Sequence, residues 1–272
     1  MKIKFWGVRG STPTPQAENM RYGGNTSCVE VRINDNLYIF DCGTGFRVLG
    51  KQLVADAQGA PIRAQVFLSH FHWDHIQGIP FFPPLYEGPM NSLVFHASSR
   101  TRGLRQALDG QMADPYFPVN MMEMAAHRSF VHLDEGREEF EDCSVSAMWL
   151  NHPQGCLGFR METPRGVFVY ATDNEPGPAE FDRKVRKLAE GADILVYDAQ
   201  FLPEEYQAKR RGWGHSHWRE AVKVAMDSGA KELILYHHDP DNDDACVDRI
   251  LQAARDHYPN VQAAYEGLEL SI

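Results

Sequence analysis

The six-residue run His70-Phe71-His72-Trp73-Asp74-His75 concentrates four side chains that can bind a metal ion. Imidazole nitrogen and carboxylate oxygen are the donors that zinc, manganese and iron accept. The run directly follows Ala64-Gln65-Val66-Phe67-Leu68-Ser69, which reads as a buried strand opening into a cleft. His70 and His72 lie two apart and can face one ion in an extended turn, leaving Asp74 and His75 for a second. Buried without a metal, the four would be a costly cluster of polar groups, so a purely structural role is the weaker reading.

Four donors do not complete two ions, so further ligands are expected at other strand ends. His152 follows an apolar stretch at 145–150, Asp173 one at 167–171 and His237 one at 233–236. A lone His or Asp at such a place is usually a cap or hydrogen-bonding group. Three of them at strand ends point instead to a shared site.

The elements that must position these residues follow an α+β pattern. Strands are expected at 2–6, 27–33, 37–41 and 65–69, with a helix over 44–57. Further strands are expected at 145–150, 157–162 and 167–171, with turns at Pro153-Gln154-Gly155 and Pro164-Arg165-Gly166. Helices over 181–190, 216–228 and 242–257 then alternate with strands at 193–198, 232–236 and 261–265. Such an order implies two sheets packed together and covered by helices outside. No linker or repeat divides residues 1–272, so one domain is expected. The Met-rich stretch 100–127 reads as a helical insertion, over a site or at a subunit contact.

Composition narrows the function. The chain of 272 residues carries 27 Lys and Arg against 37 Asp and Glu, a formal net charge of −10. That balance argues against a long nucleic-acid partner, because phosphate backbones are held mainly by Lys and Arg. The five cysteines never form a C-x-x-C pair, which suits small core residues in a reducing compartment and offers no thiolate zinc site. No apolar run reaches membrane-spanning length and the first residues lack a signal-like stretch, so a cytoplasmic protein without a membrane partner is expected.

The chain resembles the metallo-β-lactamase superfamily, and within it the ribonuclease Z and cyclic-nucleotide phosphodiesterase branch. The resemblance rests on the H-x-H-x-D-H run, Phe5-Trp6-Gly7-Val8-Arg9-Gly10-Ser11, Gly23-Gly24-Asn25-Thr26-Ser27 and Phe40-Asp41-Cys42-Gly43-Thr44-Gly45. It implies a four-layered αββα sandwich and a dinuclear site. By that resemblance His70, His72 and His152 hold one metal, Asp74, His75 and His237 the other, and Asp173 bridges them. His238 is the rival for His237. The implied cofactors are two divalent ions, zinc first, with Mn2+ or Fe2+ as alternatives. A homodimer is the branch default.

Tyr197-Asp198-Ala199-Gln200-Phe201 and Gly214-His215-Ser216 are similar to motifs of the phosphodiesterase branch. The likeness implies that His215 contacts phosphate or protonates the leaving oxygen, with Asp198 orienting its ring. An alkoxide leaving group does need a proton, and His is the commonest donor near neutral pH. The plainer alternative makes His215 a helix N-cap. The expected reaction is phosphodiester hydrolysis by water activated between the two ions, with Asp74 orienting that water. The long basic arm of tRNA-processing enzymes is missing, which favours a small phosphodiester such as a 3′,5′-cyclic nucleotide. A ribonuclease Z-like RNA 3′-processing endonuclease and a non-catalytic metal-binding sensor remain as alternatives. Arg9 and Ser11 are candidate phosphate contacts, and Tyr116, Phe117 and Trp213 candidate stacking surfaces for a base; a structural turn and ordinary packing are their bland counterparts.

Overall fold

The computed structural model describes residues 1–98 and 103–272. The chain opens with an antiparallel meander of β1 (Lys2–Gly7), β2 (Cys28–Ile33) and β3 (Asn36–Phe40). Helix α1 (Thr44–Ala57) then carries it to β4 (Arg63–Phe67), parallel to β3. The first turn of α1 lies against the backbone of β1, which requires Gly45. A Cβ there would fall 2.5 Å from the Trp6 carbonyl oxygen.

After the short helix α2 (Trp73–Ile76) come β5 (Ser92–Ala97), helix α3 (Leu104–Gln111) and β6 (His127–His132), both strands extending the parallel part. The second sheet repeats this plan. Strands β7 (Gly136–Glu139), β8 (Ser144–Leu150), β9 (Cys156–Thr163) and β10 (Gly166–Ala171) are antiparallel neighbours. Helix α4 (Ala179–Ala189) leads to β11 (Ile194–Asp198); α5 (Pro203–Glu205) and α6 (Trp218–Ser228) lead to β12 (Glu232–Tyr236). Helix α7 (Asp244–Arg255) leads to β13 (Val261–Ala263), and β10 to β13 are parallel. The last strand, β14 (Glu269–Ser271), returns to pair with β1. Each sheet therefore has seven strands.

Period-two alternation sorts side chains between the layers. Phe40, Phe67, Tyr170, Val196, Ile234 and Tyr236 face the core between the sheets. Their neighbours Ile39, Val66 and Leu68 pack outward under α1 and α3. Leu195, Leu233 and Leu235 pack outward under α4, α6 and α7. The result is the αββα sandwich of the metallo-β-lactamase fold. All five cysteines are free and buried. Among the described residues no helix is long and apolar enough to cross a membrane.

Several boundaries differ from the sequence expectation. Strands β6 and β7 differ from the expectation because they are edge strands with half-exposed faces, so their patterns do not alternate, while β14 is an edge strand of only three residues, too short for its alternation to stand out. β5 does alternate, with Leu93, Phe95 and Ala97 on one buried face, and was legible though not anticipated. Helix α6 begins at Trp218 rather than 216, because His217 caps it by accepting from the Glu220 N–H. Of the expected insertion at 100–127, residues Arg100, Thr101 and Arg102 lie outside the described residues. The remainder holds α3 and a 3-10 turn at Met121–Glu123, and His127 already belongs to β6. Met112, Met121 and Met124 join the outer core beside Leu104 and Leu108, so much of the stretch is ordinary packing.

Phe40 is fully buried where the sheets meet, with Phe67, Phe159, Phe168 and Tyr170 ring centroids 5.4 to 5.7 Å away. Phe40→Ala should therefore lower unfolding stability by about 3–5 kcal/mol, read from the denaturant midpoint. A loss below about 1 kcal/mol would show that this contact does not hold the sheets together.

Candidate metal centre

Strands β8, β10, β11 and β12 run in one direction and deliver His152, Asp173, Asp198 and His237 to the same rim. The end of β4 delivers His70, His72, Asp74 and His75 from the other sheet. Among the described residues, His70, His72, His152 and Asp173 form one group with donor atoms within 4.8 Å of one another, and Asp74, His75 and His237 a second; a third set, Asp173, Asp198, His215 and His237, overlaps both.

Each imidazole is held by one ring nitrogen and presents the other inward. His75 Nδ1–H donates to Asp41 at 2.7 Å, His152 Nδ1–H to the Gly214 carbonyl at 2.8 Å and His237 Nδ1–H to Gln200 at 3.0 Å. His72 is held the other way round, its Nε2–H donating to Gln154 at 3.1 Å. The Ser69 hydroxyl gives its one hydrogen to Asp41, so it accepts from His70 Nδ1–H at 3.0 Å. Five acceptors thus fix five tautomers and leave five bare nitrogens facing the centre.

Those inward nitrogens crowd together. His72 Nδ1 lies 3.0 Å from His152 Nε2, and His75 Nε2 lies 3.2 Å from His237 Nε2. Lone pairs at that separation repel unless a cation draws both. His70 Nε2 is buried with no hydrogen-bond partner among the described residues. Asp173 sits between the groups, Oδ2 3.5 Å from His70 Nε2 and 3.3 Å from His75 Nε2, and Oδ1 3.3 Å from His237 Nε2. Burial pushes His70 well below the usual imidazole range and His152 down to about 4, which keeps both neutral as ligands must be. Burial would raise the Asp74 and Asp173 carboxyls, but the surrounding imidazoles hold both well below the carboxylate range. His75 behaves differently: burial opposes a charge on it, but Asp173, Asp74 and Asp41 raise it well above the usual imidazole range, so this half of the centre holds an excess of carboxylate that a cation would balance. Neutral His70 and His152, ionised carboxylates and an orphaned buried nitrogen fit a pair of divalent cations.

His215 borders the second group. Its Nδ1–H donates to Asp198 at 2.8 Å, and its ring stacks on His237 with centroids 4.9 Å apart. Burial opposes a charge on His215, but Asp198 overcomes it and raises the imidazole to about 9. Asp198 also accepts from Gln200 N–H and Ser216 N–H, which binds the two motif segments into one unit. The cap that His215 could have supplied belongs to His217.

Four supporting residues were missed at the sequence level: Asp41 holds His75, Gln200 holds His237, Gln154 holds His72 and Ser69 holds His70. Ser11, expected at phosphate, donates its N–H to Asp74 at 2.7 Å. Asp41, Ser11, Gln154, Asp173 and His237 all adopt positive φ between 50° and 67°, a strained region for side-chain-bearing residues. For Asp41 a signal existed: an acidic residue at the end of an apolar strand, followed closely by glycine.

Other candidates are placed elsewhere. Arg9, expected at phosphate, is fully buried, and its guanidinium donates to the carbonyls of Gly23, Asn242, Asp239 and Asn19. It bolts loops together with four of its five N–H groups, Nη2 also facing Asp244 at 3.9 Å, and full burial keeps it from a substrate. Ser11 meets the site through its backbone. Phe117 is half-buried against the outer core and packs edge-on on the exposed Phe81 ring, and Tyr116 is 83% exposed. Trp213 is half-exposed beside Arg210 and Phe201. His238 turns away, donating to the Ala264 carbonyl at 2.8 Å.

A family model described as "Beta-lactamase superfamily domain" matches residues 36–238. The chain belongs to that superfamily. It is 26% identical to a protein named Ribonuclease Z from Haloarcula marismortui, with 100% of this chain and 97% of that protein covered. Among solved structures it is similar to the metallo-β-lactamase fold protein YhfI from Bacillus subtilis, with a TM-score of 0.74 and 19% identity over 99% of this chain and 98% of that one. It is also similar to a diphosphatase from the PhnP family, with a TM-score of 0.68 and 20% identity over 100% and 97%.

Chelator-stripped protein titrated with Zn2+ or Mn2+ in a calorimeter should take up close to two ions. Asp41→Asn turns one acceptor into a donor facing donors, so one of the two affinities should fall about 10–100-fold. Unchanged affinities would remove Asp41 from the site.

Proposed function

We propose that this member of the superfamily is a metal-dependent phosphodiester hydrolase. The observation that carries this is the His215–Asp198 pair beside the two donor groups, because a dinuclear centre with its own buried proton donor suits an alkoxide leaving group. His70, His72 and His152 would hold one ion, Asp74, His75 and His237 the other, with Asp173 placed between the two groups; zinc is the first choice. Such a pair of ions lowers the pKa of bound water and polarises phosphoryl oxygens.

The chain's own residues supply the rest. Asp74, set by the Ser11 N–H, orients the attacking water. His215 donates a proton from Nε2 to the leaving oxygen, while Asp198 keeps the opposite nitrogen protonated and the ring in place. Because burial around His215 is nearly complete, the proton passes to the substrate with little competition from solvent.

Small phosphodiesters, 3′,5′-cyclic nucleotides first, are the proposed substrates. The net charge of −10 and the direct run from His152 through one hairpin to Asp173, with no inserted arm, support this. The likeness to a protein named Ribonuclease Z over the full length favours a second reading, an RNA 3′-processing endonuclease.

The test compares leaving groups. p-Nitrophenolate departs without a proton, whereas a ribose alkoxide does not. His215→Ala should cut kcat for a cyclic nucleotide about 10²–10⁴-fold and spare bis(p-nitrophenyl) phosphate by comparison. Equal losses on both would sink the proton-donor role. A panel of cyclic nucleotides, dinucleotides and precursor tRNA, assayed with Zn2+ and Mn2+, separates the two substrate readings, and preferential tRNA cleavage decides for the second. His215 acts in its protonated form, so activity on alkyl esters should fall as pH rises through about 9. That alkaline limb should vanish in His215→Ala.

A further inference from the structure

Glu175 stands two residues after Asp173 and is 8% exposed. Its carboxylate accepts from Gly212 N–H at 2.6 Å, Gly214 N–H at 2.8 Å and the Tyr206 hydroxyl at 3.1 Å. These donors span the 206–214 segment, which opens with a π turn at Tyr206–Arg210 and ends at the residue before His215. Gly212 and Gly214 have φ of 85° and 87°, and a Cβ on Gly214 would lie 2.3 Å from His152 Nδ1. The loop therefore presses on a candidate ligand, and the Gly214 carbonyl is the group that accepts from His152.

Glu175 is itself anchored next to that ligand. Its N–H donates to the Asn151 carbonyl and its own carbonyl accepts from Asn151 Nδ2, both at 2.8 Å. One carboxylate thus joins the strand ends carrying Asp173 and His152 to the loop carrying His215. Three donors and no acceptor converge on it, which suits a carboxylate and not an amide.

We propose that Glu175 is a positioning residue that locks the 206–214 segment, so that one carboxylate sets both the hydrogen bond orienting His152 and the placement of His215. This rests on the preceding reading of His152 and His215. Just past the segment, other bonds hold the chain, where Ser216 N–H meets Asp198 and Phe201 N–H meets the Ser216 carbonyl. Glu175 holds the segment itself, at Tyr206, Gly212 and Gly214.

The variant is Glu175→Gln, which keeps shape and turns one accepted bond into a donor–donor contact. In chelator-stripped protein, hydrogen exchange across 206–217 should quicken about tenfold. Calorimetric titration with Zn2+ should show one of two affinities reduced about 10–100-fold, the range seen for groups that orient ligands. On an alkyl phosphodiester kcat should fall about tenfold with KM within about twofold, and in a His215→Ala background the same change should alter kcat less than about twofold. Tyr206→Phe, which removes one donor and leaves the carboxylate, should give smaller shifts in the same direction and keeps the test intact if Glu175→Gln does not fold. Unchanged exchange and affinity in both variants, or fully additive losses in the double variant, would overturn the proposal. If the wild-type protein cleaved no phosphodiester, the function would fall while exchange and titration still judged Glu175.

Discussion

Everything at the rim depends on the Asp41 carboxylate. It is fully buried and accepts from Ser69 N–H, the Ser69 hydroxyl, the Tyr170 hydroxyl and His75 Nδ1–H, all at 2.7 to 2.8 Å. Ser69 follows β4 of the first sheet by two residues, Tyr170 belongs to the second, and His75 lies in the metal-facing run. A buried carboxylate without these donors would be very unfavourable, so the sheets must meet in the register that supplies them. That register places the two strand-end sets opposite each other. Asp41 also decides, through Ser69, which nitrogen His70 leaves bare.

The same logic extends around the centre. Inward lone pairs within about 3 Å of each other, beside two ionised carboxylates, form a negative concavity in the core. Such a site is tolerable only with cations to neutralise it, and two divalent ions would shift the formal balance from −10 to −6. Outward partners and positive-φ turns hold the side chains in place before any ion arrives. Five of the seven non-glycine residues with positive φ among the described residues serve this site, while Asn34 and Gln58 close a turn and a helix end. Strain is concentrated where the rim must bend side chains inward.

Much of the architecture could be read from pattern. Buried strands such as β2, β4, β11 and β12 carry apolar residues in unbroken or alternating runs, and amphipathic helices separate the later ones. Edge strands such as β6 and β7 could not be read this way, because solvent on one or both sides relaxes the demand for alternation. Phe117 and Arg9 show a second limit. Aromatic and cationic residues can look like substrate contacts, yet half-buried Phe117 packs against the outer core and Arg9 satisfies four backbone carbonyls. Type and proximity in sequence say nothing about which way a side chain turns.

The sequence by itself determined the donor chemistry. The H-x-H-x-D-H spacing, with His152, Asp173 and His237 at strand ends, limited the site to imidazole and carboxylate, because local spacing and residue type are properties of the chain. Only the tertiary structure decided how those donors are used. It chose His237 over His238, since one turns towards Asp74 and the other towards Ala264. It selected the bare nitrogen of each imidazole through Asp41, Ser69, Gln154, Gln200 and Gly214. These partners lie up to 82 residues from the side chains they orient, as Gln154 does from His72. Packing two sheets face to face brings such pairs within hydrogen-bond reach, and no local pattern encodes that approach.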